Sequence, residues 1–194
     1  MNVSDLLSAL APVVDVLESL GVAYYVGGSL ASSAHGVPRA SIDADVIADL
    51  DHRHVAPFVS RLQETYYLDE GRVRDAVESR RSFNLIHLAT MFKVDVFASK
   101  RRPFDVGALQ RAQPQPFGDA PDARHFRVAS AEDTILAKLE WFRAGGEVSD
   151  RQWADIVGVL KAAGNPLDRA YLEQWALALS VADILARARA EADA

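Results

Sequence analysis

Residues 22–48 read VAYYVGGSLASSAHGVPRASIDADVIA, a glycine-rich turn between two strand-like runs. Val22–Val26 is β-branched and aromatic, the composition of a buried strand, and it leads straight into Gly27-Gly28-Ser29. Leu30–His35 can form a short helix before Gly36-Val37-Pro38 breaks it. Ile42–Ala48 alternates, with Ile42, Ala44 and Val46 on one face and Asp43 and Asp45 on the other, because successive strand side chains point to opposite sides. The order is therefore strand, glycine loop, short helix, then a strand with two carboxylates on one face.

Outward from this stretch, Leu6, Leu7, Leu10, Val13, Val14, Leu17 and Leu20 recur at three- and four-residue steps, so an amphipathic helix precedes it, capped by Ser4 and stopped by Gly21. Asp51 can cap a helix through HVAPFVSRLQET, with Pro57 in conflict unless the helix begins there. A charged stretch from Arg72 to Arg81 leads to two antiparallel strands, Phe83–His87 and Phe92–Phe97; in the second, Lys93, Asp95 and Phe97 face one way. Lys100–Phe117, with its prolines, suits a surface loop or short helix leading out of the sheet and is the best boundary candidate. After a short strand at His125–Val128, Ser130 caps a helix through Ile135, Leu136, Leu139 and Phe142 that Gly145-Gly146 ends, and Ser149 with Gln152 starts another. Two more helices follow, and Trp141, Trp153 and Trp175 fit their cores. Mixed α and β up to about residue 128 and helix afterwards predicts an α+β fold: residues 1–128 as a mixed sheet with flanking helices, 129–194 as a helical subdomain.

At 194 residues the chain has the length of one domain, or of one domain with a smaller addition, and 49% apolar with 25% charged residues is ordinary globular composition. Its 21 basic against 27 acidic residues leave a net charge of −6, which disfavours a broad polyanion-binding or anionic-membrane surface. The absence of cysteine removes disulfides, thiolate metal sites and a cysteine nucleophile, leaving oxygen, nitrogen or a hard metal for any catalysis. No basic leader or long apolar run opens the chain, so a cytoplasmic location is expected and no membrane partner.

Asp43, Asp45 and Asp95 are charged residues on otherwise apolar strands, costly unless paired or bound to a cation. A three-carboxylate set without His or Cys suits Mg²⁺, which takes hard oxygen ligands alongside waters and substrate phosphates. Two such ions about 4 Å apart can clamp the attacking and leaving oxygens of a phosphoryl transfer. Gly27 and Gly28 let a backbone approach a phosphate, and Ser29 offers a hydroxyl where a helix starts. Arg39 either binds phosphate or neutralises the aspartates. His35 reads as a capping or packing residue rather than a base. Arg80, Arg81, Lys100, Arg101 and Arg102 form either a rim for an RNA acceptor or a solvated charge run.

In order and spacing, Gly28-Ser29, Asp43 with Asp45, and the later Asp95 resemble the nucleotidyltransferase superfamily typified by DNA polymerase beta, over roughly residues 20–100. The resemblance implies the nucleotidyltransferase fold, two Mg²⁺ ions, and transfer of a nucleoside monophosphate from a nucleoside triphosphate such as ATP to a hydroxyl of RNA, protein or a small molecule. Asp43, Asp45 and Asp95 would be the catalytic metal ligands, Asp95 alternatively a base, and Gly28 and Ser29 would hold the triphosphate. The C-terminal part looks similar to AbiEii-type toxin nucleotidyltransferases, in which a helix bears a lysine and the next an aspartate, here Lys138 and Asp155. That implies the toxin-like part of a toxin–antitoxin pair with an antitoxin protein as partner. Lys138 would meet the triphosphate, and Asp155 would join it there or, the reading its residue type favours, hold Lys138 or an arginine in a structural salt bridge. The rival is a non-catalytic module that keeps the fold and binds a nucleotide or a partner.

Overall fold

The structure, a computed structural model, describes residues 3–37, 41, 43–118, 123–162 and 167–194. Arg39, expected to meet phosphate or aspartate, lies outside the described residues. The chain divides into two units, one drawn from Met1–Gly27 with Ala40–Val128, the other from Gly28–Arg39 with Ala129–Ala194.

The first unit holds one seven-stranded sheet: β1 (Tyr24–Val26), β2 (Asp43–Ala48), β3 (Tyr66–Tyr67), β4 (Ser82–His87), β5 (Lys93–Ala98), β6 (Gln113–Phe117) and β7 (Arg124–Val128). Across the sheet the order is β3-β4-β5-β2-β1-β7-β6. β2 runs parallel to β5 and antiparallel to β1, while β4 and β5 form the expected antiparallel pair. Ala44, Val46, Val94, Val96, Phe83 and Leu85 turn to the buried side of these strands. Helices α1 (Val3–Ser19), α3 (His52–Leu62) and α4 (Glu70–Glu78) pack there. Leu10, Leu17, Phe58, Leu62 and Tyr66 fill that core, with Phe58 edge-on to Phe83 at 5.9 Å between ring centres. The buried Tyr66 hydroxyl donates to the Ala9 carbonyl at 2.7 Å, tying the sheet edge to α1.

Three local features depart from the sequence reading. Pro57 sits inside α3, which begins at His52 after Asp51; the helix forgoes one backbone bond there because Val55, Phe58, Val59 and Leu62 are buried. The charged stretch before β4 is helix α4, whose thin stripe is Val73, Ala76 and Val77. Lys100–Phe117 is no boundary: it holds the expected short helix, α5 (Pro103–Arg111), and then strand β6, inside the first unit. Pro114 and Pro116 are tolerated in β6 because it is an edge strand, with only β7 beside it.

At the start of α3 the Asp51 backbone N–H donates to His54 Nδ1 at 3.0 Å, a bond that needs an unprotonated nitrogen. Burial, and then the nearby Arg53 charge, hold His54 below the usual histidine value of 6.5. A depressed histidine contributes stability above its unfolded pKa and loses it as pH falls through 6.5 toward the folded value. Denaturant melts should therefore show lower stability at pH 5.5 than at pH 7.5, with a smaller difference in His54→Gln, whose amide oxygen accepts at either pH.

The second unit is helical: α2 (Gly28–Ala34), α6 (Ala131–Ala144), α7 (Asp150–Ala162), α8 (Arg169–Ala178) and α9 (Ala182–Ala192). α2 packs on α6 and α7, so the segment after the glycine turn joins the C-terminal helices. Ile135, Leu136, Leu139, Ile156, Leu172 and Ile184 are its buried anchors. Trp141, expected in the core, is 56% exposed because it falls off the stripe formed by Ile135, Leu136, Leu139 and Phe142. Among the described residues no helix is long and apolar enough to cross a membrane.

Candidate active site

In β2 the residues facing away from the core are Asp43, Asp45 and Ile47, and in β5 they are Lys93, Asp95 and Phe97. Parallel pairing sets Asp43 opposite Lys93 and Asp45 opposite Asp95. β4 adds Asn84 opposite Asp95 from the other side, so an amide and two carboxylates form one row across three strands. The three expected acidic residues thus share one side of one sheet.

Two glycines follow β1. Gly27 N–H donates to the Asp45 carbonyl at 2.9 Å, and a Cβ on Gly27 would come within 2.9 Å of the Ile47 Cδ1. Gly28 has φ +57°, the left-handed region that glycine enters at least cost. Gly28 and the buried Ser29 open α2, which is only seven residues long. They belong to the helical unit.

On the sheet, Lys93 Nζ lies 2.7 Å from Asp95 Oδ2 and 3.7 Å from Asp43 Oδ2. The hydrogen bond it donates to Asp95, with the charges of Asp43 and Asp45 behind it, holds Lys93 above the usual lysine value. Ser41 Oγ is placed to donate to Asp43 Oδ1 at 3.0 Å and to its carbonyl at 2.8 Å. Among the described residues no three acidic or histidine side chains close into a metal cage. The donors still suit a hard divalent ion, being all carboxylate, on one face, and carrying more negative charge than Lys93 offsets. Sequence reading placed Lys93 on the Asp95 face but gave it no role; its signal was the alternation of Lys93-Val94-Asp95.

In the second unit, Lys138 on α6 and Asp155 on α7 meet as a buried ion pair, Nζ to Oδ2 2.7 Å, with 12% and 6% of their side chains exposed. Of the readings open for Asp155, the salt bridge to Lys138 is present as a contact. His35 Nε2 lies 2.7 Å from the Ala129 carbonyl, in keeping with a packing role.

Most of the basic run is engaged elsewhere. Arg101 pairs with Asp49 at 2.5 Å and Asp51 at 2.7 Å, and that guanidinium holds the Asp51 carboxyl below the usual carboxylate range. Arg80 donates to the Leu50 carbonyl at 2.9 Å, and Arg102 pairs with Asp105 at 2.8 Å. Arg81 instead lines a groove of about 330 Å³ with Arg72, Tyr67, Asp69, Ser82 and Asn84.

The mixed seven-stranded sheet with flanking helices is the fold of solved nucleotidyltransferase structures. Solved structures with this fold include the antibiotic-resistance factor ANT(2'')-Ia in solution, at 12% identity and a TM-score of 0.55 over 97% of this chain and 94% of that one. A crystal structure of ANT(2'')-Ia in complex with adenylyl-2''-tobramycin aligns at 13% identity and a TM-score of 0.56, over 90% and 97%. An antigenic nucleotidyltransferase-like protein from Paracoccidioides brasiliensis aligns at 18% identity and 0.51, over 96% and 91%. No family model and no curated protein sequence matches the chain. At these identities the likeness is one of fold.

Proposed function

We propose that the chain is a Mg²⁺-dependent nucleotidyltransferase that moves a nucleoside monophosphate from a nucleoside triphosphate to an acceptor hydroxyl. The observation that carries this reading is the register Asp45 opposite Asp95, which joins the Asp43-Ala44-Asp45 pair to a third carboxylate on the open side of the sheet. Asp43 and Asp45 would hold the metal, with Asp95 as third ligand or as the base that takes the acceptor's hydroxyl proton. Bound there, a divalent ion neutralises phosphate oxygens and stabilises charge developing in the transition state. The Gly28 backbone and the Ser29 hydroxyl would take the triphosphate, and Lys138 would offset its charge.

For the acceptor we favour a small-molecule hydroxyl. The net charge of −6 disfavours long RNA, and ANT(2'')-Ia, whose complex carries adenylyl-2''-tobramycin, matches over nearly the whole chain. An AbiEii-type toxin role, with an antitoxin partner, rests on the spacing of Lys138 and Asp155 alone. The absence of cysteine supports a cytoplasmic setting.

Each α-labelled nucleoside triphosphate should be incubated with the full chain, Mg²⁺ and a cell extract split into small-molecule, RNA and protein fractions. Label entering the small-molecule fraction with the intact chain, and lost in the Asp43→Asn, Asp45→Asn variant, is the expected result. Label on RNA or protein would overturn the acceptor choice and keep the transfer. Binding of Mg²⁺-nucleotide without transfer to any fraction would replace the enzyme with a binding module.

A further inference from the structure

We propose that Lys93 is an internal counter-ion of the acidic face, which a divalent ion must displace in order to bind Asp43 and Asp95. This rests on the metal-binding reading of the carboxylates and adds a residue to it. The ammonium spans two strands, 2.7 Å from Asp95 Oδ2 and 3.7 Å from Asp43 Oδ2. Ser41 Oγ is placed 3.0 Å from the other Asp43 oxygen. An ammonium at this range repels an incoming divalent ion, because charges a few ångströms apart interact appreciably even in a partly solvated site.

β2 and β5 are already joined by six register pairs, and ion pairs at this exposure contribute little to stability. With 41% of its side chain exposed and a four-carbon stem, Lys93 can leave the carboxylates for solvent without a backbone shift. The arrangement keeps the carboxylates partly neutralised at low metal, and competition of this kind lowers apparent metal affinity by the strength of the contact displaced.

Mn²⁺ titrations of the full chain, read by electron paramagnetic resonance of the free ion, test the idea in wild type, Lys93→Gln and Lys93→Arg. Lys93→Gln should bind about three- to fivefold more tightly than wild type, and Lys93→Arg, which keeps the charge, within about twofold of it. Equal or weaker binding by a folded Lys93→Gln, with wild-type binding intact, would overturn the proposal and leave the metal reading standing. Failure of both wild type and Lys93→Gln to bind would overturn the two together. Wild-type protein with ¹⁵N-labelled lysine gives a test without substitution: the Lys93 ammonium resonance should move to its solvent-exposed position on saturation with Mg²⁺, and an unmoved resonance on the saturated protein counts against displacement.

Discussion

Replacing Asp43 and Asp45 by Asn will lower nucleotide transfer by at least about a thousandfold, roughly 4 kcal/mol of transition-state stabilisation, while the thermal midpoint stays level or rises. The two carboxylates are i, i+2 on β2 and face away from the core, so their charge repulsion is a cost to the folded state that the amides remove. Lys93 has Asp95 at 2.7 Å and so keeps a partner in the variant. Ser41 Oγ can still donate to an amide oxygen at position 43 as it does to the Asp43 carboxylate. Transfer at near wild-type rate by the folded variant would remove both residues from the chemistry. A loss of transfer accompanied by a collapsed melt would say only that the sheet needs its charges.

The second large effect is on stability. Asp155→Ala leaves the Lys138 ammonium without its 2.7 Å partner in a site where 12% of its side chain meets solvent, and should cost about 3 kcal/mol, a fall in the melting midpoint of roughly 6–12 °C for a chain of this length. Lys138→Met removes the other charge and should cost a comparable amount. The double variant Lys138→Met, Asp155→Leu should melt close to wild type, since apolar replacement of a whole buried pair is often neutral. The double variant then separates structure from function. If Lys138 also meets the triphosphate, the folded double variant loses nucleotide-induced stabilisation; if the pair only joins α6 to α7, that stabilisation survives.

How far the site was legible follows from the distance over which each signal acts. Period-two alternation put Asp43 with Asp45, and Lys93 with Asp95, on common faces, because side-chain direction in a strand is a local property of the backbone. Helix stripes behaved similarly where they were broad: Ile135, Leu136, Leu139 and Phe142 are buried in α6 as expected, whereas α4, with only Val73, Ala76 and Val77 inward, was hidden by its charges. Prolines misled at Pro114 and Pro116 because their cost depends on whether a strand has one neighbour or two.

By itself, the sequence determined the α+β order, the glycine turn, and the grouping of acidic residues on particular strand faces, all of which depend on neighbours a few residues apart. Only the tertiary structure decided that β2 lies parallel to β5 with Asp45 against Asp95, that Lys93 reaches across to Asp43, and that Lys138 meets Asp155. Each of those pairings joins residues distant in the chain, and burial of the Val46, Val94 and Val96 side of the sheet selects the strand register. A one-residue slip would turn those valines to solvent and the carboxylates into the core, so long-range packing places the chemistry that local pattern supplies.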